Sequence, residues 1–234
     1  MKRGTFITFE GPEGSGKSTQ AARLCGFLRK RGYSVLYLRE PGGTEISEAI
    51  RKILLAPRHK RMSVETEALL YLASRAQIVK EKIAPALKKG KVVILDRFQD
   101  STLAYQGYGE GIDLGLLKKL GQFATRGIKP DLTFLLDVES KAGLDRALSK
   151  DRIEIKPLAF HRRVRRGYLE LAQKNAHRIF LIKANKDMEA IMKIIQAKAL
   201  ELLKRGYSQI RTRDKNIFRG LSEDARNNRA GKGN

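Results

Sequence analysis

Apolar residues recur along this chain in two rhythms. Five short runs, Thr5–Phe9, Ser34–Leu38, Val92–Leu95, Leu132–Leu136 and Arg178–Ile182, are dense in aliphatic and aromatic residues. Runs of this kind form strands buried on both faces, as in a parallel sheet. Between them the apolar positions follow a helical period. Ala21, Leu24, Cys25 and Leu28 share one face of a first helix, and further helical stretches cover about 44–55, 63–89, 113–126, 139–149, 159–175 and 187–204. The alternation predicts a doubly wound α/β fold: a parallel β-sheet flanked by helices on both faces, with a nucleotide at the carboxyl ends of the strands. Chain order is legible from this pattern and strand order is not.

The join between the first strand and the first helix carries the strongest chemical signal. Gly11-Pro12-Glu13-Gly14-Ser15-Gly16-Lys17-Ser18 satisfies the G-x-x-x-x-G-K-[ST] template, with Thr19 following. Glycines let backbone N–H groups approach a phosphate, and the helix N-terminus favours negative charge there. Lys17 would reach the terminal phosphates of a nucleoside triphosphate, and the Ser18 hydroxyl would help hold Mg²⁺.

Other motifs follow the strand ends. Asp96 closes the run Lys91–Leu95 and either assists Mg²⁺ through water or caps the next turn. Arg97 beside it suits bidentate phosphate recognition. Phe98 to Gly107 mixes polar and aromatic groups suited to a base and a sugar. Arg39-Glu40-Pro41-Gly42-Gly43-Thr44 reads equally as part of a site or as a turn leading to a helix capped by Thr44. Tyr71 and Arg75 are spaced i,i+4 and share a face, as a base-stacking pair or as ordinary amphipathic surface. Basic residues gather over 146–166, where Arg146 and Arg152 are the candidates for neutralising transition-state charge from a mobile lid. His59, His161 and His177 show no metal-ligand spacing, and no nucleophile–base arrangement is present.

Composition adjusts this picture modestly. A hydrophobic fraction of 41% over 234 residues supports one α/β domain, expected over 1–204, with a lid at about 146–157. Residues 205–234 hold eight basic and three acidic residues and read as a basic, partly disordered tail. The single cysteine, Cys25, excludes an internal disulfide and reads as a small core residue in a reducing compartment. With no apolar run near membrane length and no signal peptide, a soluble, cytoplasmic protein is expected. The net charge of +23 fits either nucleic-acid binding or the steering of polyanionic nucleotides, but it is spread along the chain, so nucleic acid is not expected as the main partner.

Taken in order, these motifs resemble those of the bacterial thymidylate kinases. The resemblance rests on the phosphate loop with Glu13 inside it, on Arg39–Thr44, on Leu69–Gln77, on Asp96-Arg97-Phe98 with Ser101, and on Ala104–Gly107. It continues through Lys129–Leu132, Asp151–Glu154 and Tyr168–Ala172, so it covers roughly 4–204. It implies a nucleoside monophosphate kinase fold and transfer of the ATP γ-phosphoryl group to dTMP, with Mg²⁺, in a homodimer. It assigns Tyr71 to stacking on thymine, where family members usually carry Phe, and Arg75 to the thymine edge. Arg97 would bind the dTMP phosphate. Ser101, Thr102 and Gln106 would line the base pocket, Tyr105 would crowd the 2′ position, and Glu13 would lie near the acceptor sugar. Arg39 belongs to the same substrate side, and Arg146 to the ATP side. The lid, with only Leu148-Ser149-Lys150 between Arg146-Ala147 and Asp151-Arg152, is shorter than the family pattern.

Overall fold

The computed structural model describes residues 3–146, 151–185 and 187–204. Five strands form one parallel sheet: β1 (Phe6–Glu10), β2 (Val35–Arg39), β3 (Val92–Asp96), β4 (Leu132–Asp137) and β5 (Ile179–Lys183). Their spatial order is β2-β3-β1-β4-β5. Each adjacent pair is parallel; Phe9 lies opposite both Asp96 and Phe134. All five expected strands are present, within about a residue of the expected bounds.

The helices include α1 (Lys17–Lys30), α2 (Glu45–Leu55), α3 (Val64–Ile78), α4 (Ala84–Lys88), α5 (Gln99–Thr102), α6 (Leu114–Thr125), α7 (Ser140–Arg146) and α8 (Leu158–Lys174). Side-chain caps start α2, α3 and α6, and Glu139 does the same for α7 by accepting from Ala142 N at 3.0 Å. Thr44 accepts from Ser47 N at 3.2 Å, Ser63 from Thr66 N at 3.2 Å, and Asp113 from Leu116 N at 2.6 Å. The expected long helix over 63–89 is three pieces, α3 and α4 joined by a π-helical turn at Val79–Ile83. A second π-helical turn, Leu103–Gly109, continues α5 and was not foreseen.

Among the described residues, apolar clusters hold these layers on the sheet. One packs Ile78, Val79 and Ile83 on Phe6, Val93 and Leu95. Another packs Tyr105, Phe160, Val164 and Tyr168 against Leu135 and Ile179. Cys25 is buried in the first helix, as expected for a core residue.

Residues 1–193 form one compact unit, in which 188–193 are helical; the described part of the second unit, 194–204, is also helical. Residues 147–150 of the expected lid and the expected tail at 205–234 lie outside the described residues. Among the described residues, no helix is long and apolar enough to cross a membrane.

Candidate active site

β1 ends at Glu10 and the chain turns at once through the phosphate loop. Gly14 and Gly16 hold φ of 63° and 81°, a left-handed backbone that glycine adopts without steric cost. Gly14 is also required by space: a Cβ there would sit 2.0 Å from the Gly143 carbonyl oxygen. The loop and α7 therefore touch backbone to backbone. α1 then starts at Lys17 with no side-chain cap, so its first-turn N–H groups are available to an anion. Lys17 is buried and donates to Pro12 O at 3.2 Å, with Glu13 Oε2 at 3.7 Å. Burial, with Arg97 nearby, holds its pKa below the usual lysine value.

At the adjoining end of β3, the Ser18 hydroxyl donates to Asp96 Oδ2. Asp96 Oδ1 is buried without a hydrogen-bond partner. A hydroxyl and a carboxylate with an open oxygen suit a hard cation that keeps most of its ligands as water and phosphate oxygens. Among the described residues no cluster of three or more His, Cys, Asp or Glu offers an all-protein metal cage. The donor set therefore fits Mg²⁺ shared with a nucleotide.

Arg97 leaves the sheet with φ of 67°, an uncommon conformation for a residue other than glycine, which turns its side chain across the strand ends. Its Nη2 donates to Glu13 Oε2 at 2.7 Å, and its Nη1 lies 3.3 Å from Tyr168 Oη and 3.4 Å from Ser101 Oγ. Tyr105 Oη donates to the other Glu13 oxygen at 2.7 Å. Burial alone would raise the Glu13 pKa. Arg97 and Lys17 outweigh it and bring the group to about 2, so Glu13 is ionised.

Behind Arg97 lies Glu10, fully buried. It accepts from Phe98 N at 2.7 Å, Ser101 Oγ at 2.5 Å and Tyr168 Oη at 3.0 Å. Burial, together with Asp100, pushes its pKa up to about 7. This carboxylate does for α5 what no residue of its own does, capping the helix start from a neighbouring strand.

A cavity of about 360 Å³ runs from Lys17, Glu13 and Arg97 to Arg75, Thr102 and Gln106, a size suited to a small ligand. Tyr71, Ser101, Tyr105 and Arg39 also line it, so the expected substrate-side residues face one space. Arg75 is buried at the far end. It donates to Glu40 Oε2 at 2.8 Å, Gln99 Oε1 at 2.8 Å, Thr102 Oγ1 at 2.7 Å and Phe98 O at 2.9 Å. Four of its five N–H donors are thus engaged, and one on Nη2 remains. Tyr71 lies one turn before Arg75 on α3; burial raises its phenol pKa, so the ring is neutral. In Arg39–Thr44, Thr44 caps α2 as the turn reading has it, and Arg39, Glu40 and Pro41 line the cavity.

The two lid arginines are placed differently from each other. Arg146 is exposed in the last turn of α7. Arg152 does not line the cavity. It is buried, donating through Nε to Leu54 O at 2.7 Å, with Nη2 2.7 Å from Glu67 Oε2.

Glu67 escaped the sequence reading, although it stands i,i+4 before Tyr71 on the same face of α3. Glu10 also escaped it; a carboxylate ending an otherwise apolar strand was its only signal. Arg51 and Tyr37 line the cavity as well and carried no local signal.

The thymidylate kinase family model matches residues 9–195 of this chain. The chain belongs to the thymidylate kinase family. It is 43% identical over 204 residues to thymidylate kinase of Geobacillus sp. (strain WCH70), a match spanning 85% of this chain and 97% of that protein. The crystal structure of thymidylate kinase from Ehrlichia chaffeensis is similar in fold, with a TM-score of 0.68 and 34% identity over 86% of this chain and 99% of that one. As a thymidylate kinase, the enzyme transfers a phosphoryl group from ATP to dTMP.

Proposed function

We propose that the cavity is the dTMP site and that the phosphate loop holds ATP against its Arg97 end. The observation that carries this reading is the polarity of the cavity. Phosphate-binding groups, Arg97 and Lys17, stand at one end; an aromatic ring, a guanidinium and an amide, from Tyr71, Arg75 and Gln106, stand at the other. A nucleoside monophosphate has that same polarity.

The chemistry follows from charge. The attacking atom is an oxygen of the acceptor phosphate, whose second pKa near 6 leaves it largely ionised at neutral pH. No general base is needed to activate it. Catalysis becomes alignment of two phosphates and neutralisation of their charge. Arg97 orients the acceptor, Lys17 holds the donor, and Glu13 with Tyr105 fixes Arg97 and borders the sugar. Ser18 and Asp96 would hold Mg²⁺, which when bound neutralises charge on the donor phosphates. We assign the γ-phosphate to Arg146, exposed on the helix that packs against the loop, and a positioning task to Arg152.

A homodimer is part of the same proposal. Ile46 and Ile53 on α2, Leu69 on α3, and Leu116 and Phe123 on α6 are exposed, and α3 packs against both other helices. An apolar patch of that kind favours a second copy of the chain. A kinase domain over 1–204 with a basic tail at 205–234, a cytoplasmic location, and ATP and dTMP rather than nucleic acid as the main partners complete the reading.

ADP release measured with a panel of nucleoside monophosphates tests it. Release should depend on dTMP, be weaker with dUMP, and be near background with dAMP and dCMP. Release indifferent to dTMP would refute the assignment.

A further inference from the structure

Behind Gln106 at the base end of the cavity, outside the lining itself, stands a buried carboxylate. Glu67 is 1% exposed, on the α3 face that also presents Tyr71 and Arg75. Three groups converge on it. Gln106 Nε2 donates to Glu67 Oε1 at 2.8 Å. Arg152 Nη2 lies 2.7 Å and Lys156 Nζ 3.1 Å from Glu67 Oε2. Two cations from 151–157 keep the carboxylate charged: burial pushes its pKa up, and Lys156 with its other partners brings it below the usual value.

An ionised carboxylate only accepts hydrogen bonds, whereas a glutamine amide has one donating and one accepting branch. With Glu67 fixed and charged, the Gln106 NH₂ is committed to it. The branch left for the cavity is therefore the oxygen, an acceptor. Arg75 supplies one remaining N–H nearby, a donor. A donor beside an acceptor complements a pyrimidine with a carbonyl at C4 and a hydrogen on N3. It opposes one with an amino group at C4 and a bare N3.

We propose that Glu67 is a specificity-determining positioning residue, setting the Gln106 amide so that the cavity selects thymine or uracil over cytosine, with Arg152 and Lys156 anchoring it. The inference rests on the cavity being the dTMP site. It gives Arg152 a task that its burial permits. It also links base selection to the segment between α7 and α8, because the cations that hold Glu67 come from there.

The test is substitution Glu67→Gln, with kcat and KM measured separately for dTMP, dCMP and ATP. A glutamine at 67 can donate to Gln106 Oε1, so the amide is free to turn its NH₂ to the cavity. The ratio of kcat/KM for dCMP to that for dTMP should rise about tenfold or more, the worth of one hydrogen bond in a buried site. KM for ATP should stay unchanged. Gln106→Met should raise the same ratio by itself, and adding E67Q to Q106M should change it no further, because the residue through which Glu67 acts is gone. An E67Q effect on the ratio that persists in the Q106M background would overturn the proposal. So would an E67Q enzyme whose ratio matches wild type. If wild type fails to distinguish dTMP from dCMP, the base-pocket reading itself fails, which is a separate result. Should E67Q melt below the assay temperature, E67Q/K156M, which removes a cation together with the charge, carries the same comparison.

Discussion

Arg75 illustrates how one residue serves two purposes, and why the simplest experiment on it misleads. Its guanidinium faces the cavity, yet its Nε binds Glu40, which is 5% exposed and has an Oε1 with no partner. Burial raises the Glu40 pKa and Arg75 opposes that rise. Arg75→Ala removes the proposed substrate contact and strands a buried carboxylate together. Breaking a buried pair from one side costs about 3–5 kcal/mol, so the variant should lose stability by that order in urea unfolding. The double variant R75A/E40Q should recover part of the loss, because the uncompensated charge has been removed. If R75A unfolds at the wild-type midpoint, the structural share of Arg75 is refuted. The sequence exposed Tyr71 and Arg75 through their spacing, but a glutamate one turn earlier on a helix looks like solvated surface. Only the approach of Gln106, Arg152 and Lys156, all distant in sequence, makes Glu67 a buried group.

At the level of elements, the strands and most helices were legible because their patterns are local. Val92–Leu95 can hardly be anything but a buried strand, and Ala21, Leu24, Cys25 and Leu28 mark a helix face. The segment 99–109 was not legible as a helix. After Gln99 it runs Asp-Ser-Thr and later contains Gly107 and Gly109, all of modest or poor helix propensity. What holds it helical is tertiary: the Glu10 carboxylate at its start, and Tyr105 packed edge-on against Phe160 and Tyr168 of α8. Strand order was hidden for a related reason, since pairing between β1 and β4 joins residues far apart in the chain. The contact between the phosphate loop and α7 is of this nonlocal kind too. A Cβ on Gly143 would lie 2.3 Å from Glu13 O. Gly143→Ala must therefore push α7 and the loop apart, at an overpacking cost of about 1–3 kcal/mol. Its signature should be a rise in KM for ATP that exceeds any rise for dTMP, because the loop is the proposed donor site. Equal changes in both would show that the contact matters only to the fold.

For the whole molecule, the decisive link is that α3 faces two ways. Tyr71 and Arg75 line the cavity and Glu67 stands behind Gln106, while Leu69 on the same helix is 56% exposed. α2 and α6 flank it with Ile46, Ile53, Leu116 and Phe123 outward, and Phe123 is 84% exposed. A second copy seated there would bury this apolar surface and clamp the helix that carries Tyr71 and Arg75, the side chains proposed to meet the base. The two consequences can be separated. Phe123→Asp places a charge in the patch without altering any cavity residue. Sedimentation equilibrium should then report monomers at concentrations where the wild type is dimeric. If the dimer serves only solubility, monomers should keep wild-type kinetics. If it steadies α3, KM for dTMP should rise several-fold, a loss of about 1 kcal/mol, with KM for ATP nearly constant because the phosphate loop lies on other elements. A wild-type chain that sediments as a monomer would refute the interface, and the exposed phenylalanine would then need another partner.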